Sequence, residues 1–94
     1  MDFSSVHNHH ESAVYRAVAD LAPRYPALAE HAELLADVAC VALNRLPPRY
    51  VRHDVDMAFF QTEAERQEVE RQVVEAVDHA FGFVQARYAM RARR

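Results

Sequence analysis

Glycine is almost missing from this chain: Gly82 is the only one in 94 residues. A glycine-rich, phosphate-cradling loop is therefore excluded, because such a turn needs several residues without a Cβ close together. Cysteine is equally scarce. Cys40 cannot form an internal disulfide, and its alanine and valine neighbours make it read as a buried structural thiol rather than a reactive one. That usage fits a reducing, cytoplasmic compartment. No apolar run approaches the roughly 20 residues that a membrane span needs, and the polar, histidine-rich N-terminus does not read as a signal peptide. Lysine is absent altogether, so all eleven basic residues are arginine. Arginine suits bidentate phosphate or guanine contacts and stacking on flat rings, although a GC-rich genome would produce the same bias. A net charge of −3 argues against a general nucleic-acid binder, which would carry a broad basic footprint.

What remains is enough for one domain spanning residues 1–94, with half of its residues hydrophobic. Phe3 to Leu21 reads as an amphipathic helix with Phe3, Val6, His10, Val14, Val18 and Leu21 on one stripe. Ser4 or Ser5 would cap it, and Pro23 to Pro26 would end it. A second helix is predicted from Pro26 or Ala27 to about Arg45. Every residue from Val38 to Leu43 is apolar, so this end should be surrounded and form the centre of the fold. Beyond it, Val55, Met57 and Phe59 alternate, which suggests a short edge strand or an extended segment. Thr62 to Glu65 has the form of a capping box opening a third, long helix. Val69, Val73, Ala76, Val77, Ala80, Val84 and Tyr88 form its apolar stripe. Gly82 would mark a close crossing or a bend, and the basic tail Arg87 to Arg94 a frayed helix end. The expected architecture is all-α: a small bundle of three main helices with a Pro-Pro corner and an irregular or short extended connection. Three such helices leave an apolar stripe that a symmetric homodimer would bury.

Catalytic chemistry finds little support. Ser4, Ser5, Ser12 and Thr62 sit at helix starts or faces, and Asp54 and Asp56 read as solvent-facing, so no enzyme is expected. On a helix His7 and Glu11 would share a face, a zinc half-site, but no further ligands are placed to complete it. The preferred reading is a polar face with His10 partly buried. No metal and no cofactor are expected.

The corner differs. Arg45, Leu46, Pro47, Pro48, Arg49, Tyr50, Val51 and Arg52 bring three cations and a flat ring together with no acid among them. Consecutive prolines cannot continue a helix, and Pro47 forces Leu46 into an extended conformation, so the turn is rigid. Guanine offers O6 and N7 to an arginine fork, and phosphates accept arginine bidentately. A ligand with both would use everything here. Equally, Leu46 and Pro47 could serve the core while the arginines are simply solvated.

Residues Val38 to Val51 resemble the signature of the late-competence ComFB family, an A-L-N-x-L-P-P-x-Y core preceded by an aspartate, here Asp37. Val6 to Glu11 resembles the family's N-terminal V-x-N-x-x-E element, with Asn8 and Glu11 in place. The resemblance implies a small, mainly helical, dimeric bacterial protein that acts as a non-enzymatic receptor for cyclic dinucleotides, notably cyclic di-GMP. It also implies links to competence, pili and motility through a downstream regulatory protein. The arginine-bracketed corner and the signature together give the candidate ligand-binding set Asp37, Asn44, Arg45, Arg49, Tyr50 and Arg52. The arginines would engage phosphates or guanine edges, Tyr50 would stack, and Asn44 and Asp37 would meet base edges or orient the arginines. Some members carry a zinc-holding cysteine cluster before the aspartate. Residues 29–36 contain no cysteine, so that site should be absent. The segment Arg52 to Phe60 also departs from the family's usual threonine-, lysine- and glycine-containing turn. The alternative is a ligand-free dimeric adaptor whose signature residues build core and interface.

Overall fold

Prolines and short polar side chains decide where the helices of this domain begin and end. The computed structural model describes residues 1–92, residue 58 as backbone alone. In chain order the elements are β1 (His7–Asn8), α1 (Glu11–Leu21), a 3-10 turn (Ala22–Arg24), α2 (Pro26–Ala29), α3 (Ala32–Arg45), β2 (Tyr50–Val51), α4 (Val55–Phe60) and α5 (Glu63–Ala92). The all-α reading holds: α1, α3 and α5 form the body, and the only sheet among the described residues is the two-stranded antiparallel pair β1–β2. No described helix is long and apolar enough to cross a membrane.

Helix α5 opens as its sequence requires. The Thr62 hydroxyl accepts the Glu65 N–H at 3.1 Å, and Glu65 Oε2 accepts the Thr62 N–H at 3.4 Å, a reciprocal capping box. The stripe from Val73 to Val84 is buried, with Val69 and Tyr88 partly buried at its ends. The Phe81 ring, fully enclosed, stacks on Tyr25 at 4.5 Å between centroids. The Tyr25 hydroxyl in turn donates to Asp78 Oδ1 at 3.1 Å. Helix α3 runs antiparallel to α5: Leu34 and Asp37 share a small cavity with Val84 and Tyr88, while Arg45 and Leu46 share a groove with Gln72 and Ala76. Val14 and Val18 of α1 and Leu28 of α2 close the core.

Several expectations are corrected. Helix α1 starts at Glu11, not near Phe3, and neither Ser4 nor Ser5 caps it. Asp2 Oδ1 accepts the Ser4 N–H and Asn8 Oδ1 accepts the His10 N–H, and such local bonds compete with a helix. Phe3 and Val6 are consequently exposed, and His7 and Glu11 lie on different elements rather than one helical face. The second helix is broken: α2 is a single turn, and His31 is extended with φ −110° and ψ 97° before α3 begins. That break lets Leu28 reach full burial, so packing overrides helix propensity. Cys40 is exposed rather than buried, because the apolar run of α3 encloses only Val38, Ala39 and Ala42 fully. Residues 55–60 form a helix, with Met57 inward and Val55, Phe59 and Phe60 outward. Asp54 and Asp56 at its start suit the positive end of a helix. Gly82 makes no close crossing: a Cβ there would meet nothing within 4 Å. The basic tail is helical to Ala92; the part of that reading at Arg93 and Arg94 lies outside the described residues.

Candidate functional site

Pro47 and Pro48 lack the N–H donors that a further helical turn would use, so α3 ends at Arg45 and the chain leaves extended. Leu46 has φ −88° and ψ 141°, and its side chain is buried against the core. This anchor fixes the corner. Two residues beyond the prolines the chain pairs with the N-terminus, Tyr50 opposite Asn8 and Val51 opposite His7. The His9 N–H donates to the Arg49 carbonyl at 2.7 Å. The buried Asn8 side chain adds a second tie, its Oδ1 accepting the Arg49 N–H at 3.4 Å as well as the His10 N–H at 3.1 Å. Backbone bonds and one buried amide thus hold the residue between two prolines and a tyrosine.

Two adjoining grooves flank the corner, sharing Pro47 and Gln72. The larger, about 450 Å³, is lined by Arg45, Leu46, Pro47, Gln72, Glu75 and Ala76. The smaller, about 170 Å³, contains Arg49 with His10, Pro48, Gln61 and Val69. Arg45, Arg49 and Arg52 make no ion pair among the described residues. The arginines of α5 behave differently. Arg66 pairs with Glu63 and Glu70, and Arg71 with Glu68 and Glu75, all on exposed helix surface. Those pairs push both guanidinium pKa values up, Arg66 chiefly through Glu63 and Arg71 chiefly through Glu68. The corner cations, like Arg16, Arg24 and Arg87 elsewhere on the surface, are free of such pairs among the described residues, but at the corner two of them line grooves that share Pro47 and Gln72.

Of the six residues singled out from sequence, Arg45 and Arg49 line the two grooves. Tyr50 follows on β2 with its ring exposed, and Arg52 is exposed just beyond. Asn44 is exposed one residue before Arg45, and its Nδ2 donates to the Cys40 carbonyl at 2.9 Å. Asp37 stands apart. Eight residues before Arg45, roughly 12 Å along the helix axis, it lines a small cavity with Arg87, Tyr88 and Arg91 of α5. Sequence reasoning missed Gln72, Glu75 and Gln61, which face the corner from α5 and the end of α4. Their positions depend on the antiparallel packing of α3 on α5, which no local pattern encodes. Asp54, read as solvent-facing, is exposed yet engaged: it accepts from His7 Nε2 at 3.0 Å and His9 Nδ1 at 2.9 Å. His10 is buried as expected, and burial pushes its pKa down.

A second feature lies on another flank of α3. Tyr15 and Val18 of α1 and Leu35, Ala39, Cys40 and Leu43 of α3 line an open groove of about 430 Å³, almost wholly apolar.

No curated protein and no solved structure gives a significant match to the chain. The profile of one family does match, that of the late competence development protein ComFB, over residues 7–88. That span holds β1, the corner with both grooves, and nearly all of α5, and on it the chain belongs to the ComFB family.

Proposed function

We propose that this protein is a non-enzymatic cytoplasmic receptor for a cyclic dinucleotide, cyclic di-GMP, that passes the signal to a regulatory protein of motility, pili or competence. One observation carries the reading: on a rigid corner Arg45 and Arg49, without ion-pair partners among the described residues, line two adjoining grooves, and Arg52 follows exposed on the chain just beyond. The larger groove falls in the usual range of ligand pockets, about 300–1,000 Å³. Arg45 and Arg49 would take phosphates or guanine O6 and N7 by their planar forks, and the exposed Tyr50 ring would stack on a base. Glu75, in the groove with Arg45, would have to give its second carboxylate oxygen, the one not taken by Arg71, to guanine N1–H and N2–H, a role that Asp37 is too distant to share there. Titration calorimetry with cyclic di-GMP tests the proposal. Heat and a thermal shift are expected, and neither at tens of micromolar would overturn it.

The apolar groove on α1 and α3 favours a second, compatible reading, a dimeric adaptor. A symmetric partner would cover Tyr15, Leu35 and Leu43 and take their remaining apolar surface out of water. If the chain dimerises but takes no nucleotide, the adaptor reading stands alone.

A further inference from the structure

His7 has an acceptor at each ring nitrogen. Its Nδ1 lies 2.9 Å from the Ser5 carbonyl oxygen, and its Nε2 lies 3.0 Å from Asp54 Oδ1. A carbonyl and an ionised carboxylate can only accept. A neutral imidazole carries one N–H, so one of the two contacts would then set a lone pair against an oxygen. The imidazolium satisfies both. His9 reaches the same Asp54 oxygen at 2.9 Å through Nδ1. Side chains alternate along a strand, so His7 and His9 share one face of the β1 segment while Asn8 takes the other.

The two faces tie down different things. Asn8 holds the Arg49 backbone, whereas His7 and His9 hold Asp54, the residue that opens α4. Helix α4 has few other attachments. Met57 is its only buried side chain among those described, and Phe59 and Phe60 are each 80 % exposed. A six-residue helix with that much apolar surface in water does not hold its place by its own packing or propensity.

We propose that the β1 segment is a proton-operated latch, in which His7 as an imidazolium, with His9 beside it, fastens α4 to the strand that also holds the arginine corner, and loss of that proton loosens α4 by turning a charge-assisted bond to Asp54 into a neutral one. The charged and titratable groups around it support this assignment. The Ser5 carbonyl and Asp54 favour the charged His7 ring, and Glu11 in the first turn of α1 adds to them, so its pKa lies above the ordinary value of 6.5. Asp54 is held below the usual carboxylate range by His9 and His7. His10 belongs to the opposite, buried side, where it feels Arg49 and the Pro47 carbonyl. The latch is therefore tightest below the ordinary imidazole value and loosens as pH rises through the raised one; on the acid side it holds until Asp54 is protonated. Nothing in this depends on a nucleotide.

Histidine-ring ¹⁵N NMR on the full chain, with amide-exchange protection measured for residues 55–61 across neutral pH, tests the latch. His7 should show two protonated ring nitrogens at mildly acid pH and titrate above 6.5, with α4 protection falling several-fold over the same range. Asp54→Asn should move the His7 titration down only in part, because the Ser5 carbonyl still favours the charged ring, and should remove the pH step in protection. His7→Gln, which leaves the start of α4 unaltered, should leave α4 poorly protected at every pH. A His7 ring that is neutral in mild acid, or α4 protection that does not change with pH in the unaltered chain, would overturn the proposal.

Discussion

The side-chain carbonyl of Asn8 accepts the backbone N–H of Arg49, across forty-one residues of chain. One buried amide therefore joins the N-terminal strand to the residue that places a guanidinium in the smaller groove. Asn8→Ala leaves the His10 and Arg49 N–H groups without that acceptor, on a residue only 8 % exposed. A loss of about 1–3 kcal/mol is expected, the usual cost of a buried hydrogen-bonding group left unmatched. Urea denaturation measures it. The same substitution should weaken cyclic di-GMP binding, because Arg49 loses its fixed starting point.

Arg45→Ala and Arg49→Ala should each weaken nucleotide binding by about 1.5–3 kcal/mol, the range for a hydrogen bond to a charged group. Neither should lower the melting temperature appreciably, since neither arginine is in an ion pair among the described residues. Lysine at either position should restore only part of the affinity, because it keeps the charge and loses the fork. Arg24→Ala, on the 3-10 turn away from the grooves, serves as the control. If all three alanine variants lose affinity equally, the contribution is general charge and not this corner.

Phe81 was legible only in part. The helical stripe through Val73, Ala76, Val77, Ala80 and Val84 could be read from spacing, yet the largest fully enclosed side chain lies beside that stripe. It is buried because Tyr25, at the end of the 3-10 turn, lays its ring on it, and that turn cannot be seen in a helical period. The α1 start and α4 were hidden for related reasons. Asp2 and Asn8 side chains replaced helical bonds at the N-terminus, and β2 drew residues 7–8 into a strand from far along the chain. What could be read locally was right: the capping box, the end of α3 at Arg45, and the extended Leu46 before the prolines.

Gly82 lies inside α5 with open space where a Cβ would stand, so its missing side chain serves no crossing. Gly82→Ala should stabilise the domain by about 0.5–1 kcal/mol, the penalty for glycine in a helix interior. A destabilised variant in thermal denaturation would mean that another chain approaches this face.

His10 and His7 give stability opposite dependences on pH. Burial holds the His10 pKa below 6.5, so the unfolded chain binds its proton first and stability falls as pH drops through 6.5. His7, with its raised pKa, acts in the other direction but is only half-buried and contributes less to global unfolding. The net expectation is an acid-side loss of stability that His10→Gln diminishes and His7→Gln does not. Urea midpoints at mildly acid and mildly alkaline pH distinguish the two variants.

Cys40 makes the apolar groove testable without adding a probe. It is the chain's single cysteine and sits among Tyr15, Leu35, Ala39 and Leu43 on an open face. If two copies meet there about a two-fold axis that passes close to Cys40, mild oxidation should link the pair without denaturing it. Ala36→Arg, at an exposed position lining the same groove, sets a charge against its own image in a symmetric pair. It should shift the protein to a monomer in size-exclusion chromatography with light scattering while leaving the helical circular dichroism unchanged. A dimer that survives Ala36→Arg and does not cross-link must use another face. In that case the groove on α1 and α3 is not where copies of this chain meet, and the adaptor reading loses the observation that favours it.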